Sequence, residues 1–379
     1  MNPLRQKIER EIQERGPIPV SRYLELCIYD PEFGYYSRNA QQFGKAGDFY
    51  TSSDVHAVFG RLLARQFDEM WRGLGSPEQI RLVELGPGRG LFGQDVLGWS
   101  QKKFPDFFRA LHYELVESSQ PLRERIQETL KHYIESGKAE LTTIDLLGGK
   151  SGFDGIVFAN EFFDALPVEI LGLRGSLQID ARDGRFVETW AQASPEELEF
   201  LDLYSVHPEK DERVEAHLAS QQAIDRIAAS MRRGFIIAID YGYTRDELLA
   251  GRHRGTLKAI RQHSVSPNPY EAPGEQDITA DVNFTALAAR AEKHGMQTHK
   301  LVTQSQFLMG IGEANQFADA FEECRLPQER AKVALQLKHL VTPAGMGESF
   351  HVLIAANGVE REKIESLSGL NFGHRPMAR

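Results

Sequence analysis

From Arg81 onward, short apolar runs alternate with longer stretches of helical period, a pattern that predicts a mostly parallel α/β sheet. Strands are expected near 81–85, 112–117, 140–144, 155–160 and 234–240, with two more near 298–303 and 350–357. The chain before Arg81 reads as helical. Phe59, Leu62, Leu63, Phe67, Met70 and Trp71 form an apolar stripe on a helix expected from about Asp54 to Trp71. An earlier helix is expected to run from a Ser21 cap to about Tyr29, where Asp30-Pro31 would stop it. Between the fourth and fifth strands, alternation over 177–179 and 186–190 predicts a β-hairpin turned at Asp183-Gly184. The expected layout is a helical N-terminal segment over 1–78 and a sheet domain over 79–357, with insertions at about 168–215 and 241–283. A tail over 358–379 is expected to be peripheral.

Composition narrows the class. The chain has 379 residues, 41% of them hydrophobic, enough for one large domain with insertions or for two domains. No apolar run approaches the ~18 residues of a membrane span. Glu9, Glu11 and Glu14 make the N-terminus too acidic for a secretory or transit signal. The net charge of −10 argues against nonspecific nucleic-acid binding. Cys27 and Cys324 offer neither a disulfide framework nor a metal-ligand pattern. The expectation is a metal-free enzyme of the reducing cytoplasm.

The candidate chemistry lies where the first strand ends. Arg81 to Gly90 reads as an apolar strand carrying Glu84, followed by the turn Gly86-Pro87-Gly88-Arg89-Gly90. Glycines there permit φ > 0 and a close approach of backbone to ligand. Gly88, Gly90 and Gly93 also satisfy the G-x-G-x-x-G dinucleotide fingerprint. That fingerprint receives an anionic pyrophosphate, beside which a carboxylate at Glu84 would be repulsive. A cationic ligand carrying a ribose, such as S-adenosylmethionine, suits an acid facing it. The next strand ends in Glu117, where an acid commonly accepts hydrogen bonds from ribose hydroxyls. Two further strands end at Asp145 and at Asn160-Glu161, which completes a polar rim along the carboxyl edge of the sheet.

Five segments, spread in order over about 260 residues, resemble the MidA-like methyltransferases, the family that contains the mitochondrial complex I assembly factor that methylates arginine. The first runs from Gly16-Pro17-Ile18 through Tyr35-Tyr36 to Gly47-Asp48-Phe49-Tyr50-Thr51-Ser52, and the second is Val83 to Gly90. The third is Asn160-Glu161-Phe162-Phe163-Asp164-Ala165-Leu166-Pro167, and the fourth is Asp240-Tyr241-Gly242. The fifth extends from Gly255-Thr256-Leu257 to Pro273-Gly274-Glu275-Gln276-Asp277-Ile278-Thr279. Ser53-Asp54 stands where the family pattern has Pro-Glu, and Asp281 where it has His.

The resemblance implies a class I (Rossmann-like) methyltransferase sheet of seven strands, the last antiparallel to the rest. It implies S-adenosyl-L-methionine as cofactor and a protein arginine as acceptor, for instance on a respiratory NADH dehydrogenase subunit. The expected cofactor residues are Glu84, Gly86, Pro87, Gly88, Gly90, Glu117, Asp145, Leu146 and Asn160, with Asp48 and Thr51 closing from the N-terminal side. A guanidinium is protonated below a pKa of about 12, so carboxylates must orient it and localise its charge. Glu161 and Asp164 are the expected catalytic pair, brought together if their i, i+3 spacing lies on a helical turn. Phe162 and Phe163 would wall the pocket or enter the core, and His263 could line the acceptor channel. The alternatives are a methyltransferase for a small molecule or another side chain, and a non-catalytic cofactor-binding assembly factor.

Overall fold

The computed structural model describes residues 2–38, 57–144, 152–252, 254–261, 264–266 and 268–373. Seven strands make its central sheet: β1 (Ile80–Leu85), β2 (Leu111–Val116), β3 (Ala139–Thr142), β4 (Phe153–Asn160), β5 (Met231–Tyr243), a broken β6 (Gln297–Thr298 and Val302–Thr303) and β7 (Phe350–Asn357). Their spatial order is β6-β7-β5-β4-β1-β2-β3. β1 to β5 pair in parallel, and β7 runs antiparallel to both β5 and β6.

Both faces of this sheet are buried, as crossover helices require, and the strand period sorts the side chains between them. Ile80 and Leu82 of β1, Ile156 and Phe158 of β4, and Phe235, Ile237 and Ile239 of β5 share one core. Val83, Leu85, Val157, Ala159, Ile236 and Ala238 enter the opposite one. The first core is capped by helices Ala57–Gly73 and Leu91–Lys103. Phe59, Leu62, Leu63, Phe67, Met70 and Trp71 are all buried there, and Phe92 stacks on Phe158 with ring centroids 4.6 Å apart.

The N-terminal helices α1 (Pro3–Arg15) and α2 (Val20–Tyr29) pack on a second sheet, with a core of their own. That sheet joins Ile18–Pro19, Gly175–Arg182, Glu169–Gly172 and Val214–Ala216, all antiparallel, with Arg185–Ala191 beyond Gly175–Arg182. Its hairpin turns where expected: Asp183 (φ 50°) and Gly184 (φ 69°) are both left-handed, which matches the right-handed twist of the flanking strands. A third, small sheet pairs Lys258–Arg261 with Ser264–Ser266 and Asp277–Thr279.

Two expectations need correction. Ser21 does not cap α2, which begins at Val20 with Pro19 as its N-cap; the Ser21 hydroxyl donates to Glu169 of the second sheet instead. The segment after β7 is not peripheral. Ile364 and Leu367 are buried in the main core, and the N–H groups of Ser368 and Gly369 donate to Glu69 and Gln66 at 2.8 and 3.0 Å. Side-chain burial and these backbone bonds together seat the segment, whose apolar residues are too sparse to form a recognisable period in sequence.

Candidate active site

The carboxyl ends of β1, β2, β3 and β4 open into a cavity of about 1210 Å³. A site for one small molecule typically holds roughly 300–1000 Å³, so this one has room for a cofactor and part of an acceptor. Its walls come from the glycine turn, the ends of β2 and β4, helix α2 and the second sheet.

One half of the cavity is shaped by backbone. Gly86, Gly88 and Gly90 have φ of 63°, 53° and 76°, the left-handed region that costs other residues strain. Gly86, Pro87 and Gly88 line the cavity. Among the described residues no atom beyond the neighbouring positions of the turn lies within 4 Å of the place a Cβ on Gly88 would take. Gly90 is not in the wall. It caps the helix Leu91–Lys103 and packs against Ile126 and Leu130. Glu117, ending β2, lines the cavity, with Oε1 accepting the Ser119 N–H at 2.7 Å. Burial pushes its carboxyl up to about 7, against the lowering effect of the Ser119 and Ser118 N–H groups. Its remaining acceptor capacity fits the two hydroxyls of a ribose.

Glu84 is a correction. It was expected to face the ligand, yet it does not line the cavity. On β1 it shares the parity of Ile80 and Leu82, so it points under the following helix, where Oε2 accepts the Tyr113 hydroxyl at 2.8 Å. Burial raises its carboxyl to about 8, the Tyr113 bond opposing. The acid before the glycine turn therefore ties two strands together from a position off the cavity wall.

The other half is built from side chains distant in sequence. Beyond Asn160 the chain leaves β4, and Glu161 adopts a left-handed backbone (φ 52°), its N–H donating to Ile239 O at 3.0 Å. No helix forms over 161–164. Instead a turn places Glu161 and Asp164 together on the cavity wall. Asn160 donates to Glu161 Oε1 at 3.0 Å and so orients that carboxylate. Burial, then the nearby Asp240, Glu161 and Asp277 carboxyls, holds Asp164 well above its ordinary pKa. The aromatic pair divides: Phe162 lines the cavity beside Gly86, whereas Phe163 is buried in the core.

The described walls carry Glu25, Glu117, Glu161, Asp164, Glu169, Glu196, Glu197 and Asp277 against only Arg22, Arg89 and Arg226. Among these, Tyr29, Tyr36, Glu169, Glu197 and Asp277 escaped sequence reasoning as site residues. The Tyr29 hydroxyl donates to Ala165 O at 3.0 Å and that of Tyr36 to Asp277 at 3.3 Å. Tyr36 and Asp277 stand inside segments that carried the family resemblance, which was the available signal; Tyr29 had none. Asp281 pairs with Lys258 at 3.1 Å and lies outside the wall. Asp48, Thr51, Asp145, Leu146 and His263 lie outside the described residues.

The strand order, the single antiparallel strand at β7 and a glycine turn followed by an acid-ended β2 define a class I methyltransferase. A family model for S-adenosyl-L-methionine-dependent methyltransferases matches residues 62–302, and the chain belongs to that MidA-like family. Its cofactor is S-adenosyl-L-methionine, which supplies an already activated methyl group. The chain is 31% identical to a Drosophila melanogaster protein named "Protein arginine methyltransferase NDUFAF7 homolog, mitochondrial", over 97% of this chain and 88% of that one. It is 30% identical to the Mus musculus protein arginine methyltransferase NDUFAF7, over 93% and 84%. A crystal structure of a relative from Burkholderia thailandensis bound to S-adenosyl-homocysteine superposes with a TM-score of 0.83 at 28% identity, covering 97% of this chain and 94% of that one. Among the described residues no helix is long and apolar enough to cross a membrane.

Proposed function

We propose that this methyltransferase acts on arginine side chains of a protein. The observation that carries the reading is the Glu161–Asp164 turn, a pair of carboxyl groups on the wall of a cavity whose described lining holds eight acids and three arginines. A guanidinium brought into that wall neutralises carboxyl groups that burial and mutual repulsion otherwise hold back from ionising. Carboxylates also fix its plane by paired N–H···O bonds, leaving one nitrogen directed at the methyl group. The sulfonium passes on its methyl group as the neutral thioether S-adenosylhomocysteine leaves. Positioning, electrostatics and a carboxylate to take the proton that the guanidinium nitrogen gives up are what remains for the protein to supply. The names of the relatives support an arginine acceptor, and a respiratory NADH dehydrogenase subunit is the partner class the family resemblance implies.

The test is incubation of the enzyme with labelled S-adenosylmethionine and a host extract, followed by mass spectrometry of the labelled material. Methyl groups on arginine of one or a few proteins are expected. Replacing the labelled arginine by Lys should abolish transfer, because Lys cannot present a planar fork. Label confined to a small metabolite would overturn the proposal.

A further inference from the structure

The turn that carries Glu161 and Asp164 is held from behind by the Asp240-Tyr241-Gly242 segment at the end of β5. The β4–β5 ladder runs in register up to Ile239 beside Asn160. One step further the ladder bond from Glu161 N–H to Ile239 O, at 3.0 Å, fixes the start of the turn. Asp240, the next residue on β5, then reaches across 77 positions of sequence. Its Oδ2 accepts the N–H of Phe163 at 2.9 Å and that of Asp164 at 3.2 Å, and its Oδ1 accepts the Tyr241 N–H at 3.0 Å. Asp240 is wholly buried and does not line the cavity. Gly242 lets this strand end approach Val282, whose carbonyl lies 2.3 Å from where a Cβ would stand, and the neighbouring Asp277–Thr279 strand brings Asp277 and Thr279 to the wall.

A helix cap uses a side-chain oxygen to hold the free N–H groups at the start of a helix. Here the same device comes from a neighbouring strand and holds a turn with no helix behind it. A left-handed, non-glycine Glu161 persists only where its surroundings over-determine the backbone. Asp240 and the ladder bond clamp the turn at its two ends.

We propose that Asp240 is the positioning residue of the acceptor site, presenting Glu161 and Asp164 to the substrate through the two N–H groups it accepts. The inference rests on the reading of Glu161 and Asp164 as the acceptor-binding pair. Around Asp240 stand Glu161 and Asp164 from the turn, Tyr241 beside it and His351, its register partner on β7. Asp277 from the small sheet and Tyr29 and Tyr36 from the N-terminal segment surround Asp164. Buried together, these carboxyls compete for a limited number of negative charges. A neutral residue at 240 therefore lets Asp164 ionise at lower pH.

The test compares wild type with Asp240→Asn, using tritiated S-adenosylmethionine and an extract of the host lacking this gene. Asp240→Asn is expected to keep its affinity for S-adenosylhomocysteine within about threefold. Its turnover should fall by about 10- to 100-fold, the usual loss when a group supporting a functional residue is removed. The acidic limb of its pH–rate profile should move to lower pH while the thermal unfolding midpoint stays near wild type, a combination that loosening of the fold would not produce. Wild-type turnover, or a loss that tracks cofactor binding with an unmoved profile, would overturn the proposal. Hydrogen exchange on the wild-type enzyme is an independent check. The Phe163 and Asp164 amides should exchange as slowly as those of β4, and fast exchange there sinks the clamp whatever the variant does. Should label fall on a residue other than arginine while Asp240→Asn still loses transfer, the acceptor assignment fails and the positioning role stands.

Discussion

The two halves of the cavity achieve shape by opposite means. At the β1–β2 end the protein makes room with backbone, through left-handed glycines within five consecutive residues and a single acid on the next strand. At the end of β4 it gathers side chains from the N-terminal segment, the β4 turn and the small sheet, with Asp240 of β5 behind them, and packs their carboxyl groups close enough to disturb one another. Backbone suits a cofactor that is always the same molecule. A constellation of side chains can be changed one residue at a time, and suits the part of the site that must recognise an acceptor.

That division can be broken by experiment. The largest effect is expected from Glu161→Gln, which should lower methyl transfer about 100- to 1000-fold, about 2.7–4 kcal/mol of barrier, while S-adenosylhomocysteine affinity by calorimetry stays near wild type. Equal loss of cofactor affinity would erase the boundary between the halves. Next comes Gly88→Val, which forces a β-branched residue to φ 53°. It should weaken cofactor binding by about 2–3 kcal/mol, roughly 30- to 150-fold. Glu117→Ala should cost about 1–3 kcal/mol of the same affinity. With the Glu117 carboxyl at about 7, the proton must leave before the carboxylate accepts ribose hydroxyls. Cofactor affinity should therefore fall as pH drops below about 7, and Glu117→Gln should flatten that dependence. Smallest is Tyr36→Phe, which removes the hydroxyl from Asp277. It should reduce transfer by about 0.5–1.5 kcal/mol and leave calorimetric cofactor binding unchanged.

What the sequence disclosed follows the same line. The strands, the stripe from Phe59 to Trp71, the Asp183-Gly184 hairpin and the glycine turn are local patterns, and local patterns are legible without a structure. Glu84 shows where local reading misleads. Its position before the glycines looks like a ligand contact, but strand parity turns it toward Tyr113. Asp240 and Asp277 were visible only as members of quoted segments. Their partners lie 77 and 241 residues away, at Phe163 and Tyr36, and no spacing rule reaches that far. The i, i+3 argument brought Glu161 and Asp164 together for the wrong reason, since a clamped turn and not a helix does it.

The excess of acids on the cavity wall has a consequence for timing. Those acids on the wall that are ionised, in a chain with net charge −10, project a field beyond the mouth of the site. At physiological ionic strength that field persists for about 8 Å, far enough to turn a basic segment toward the cleft before any contact forms. Encounter rates with cationic partners should then fall as salt is added, faster than the lifetime of the complex shortens. If the acceptor is the proposed arginine, the groups that hold its guanidinium also govern how often one arrives.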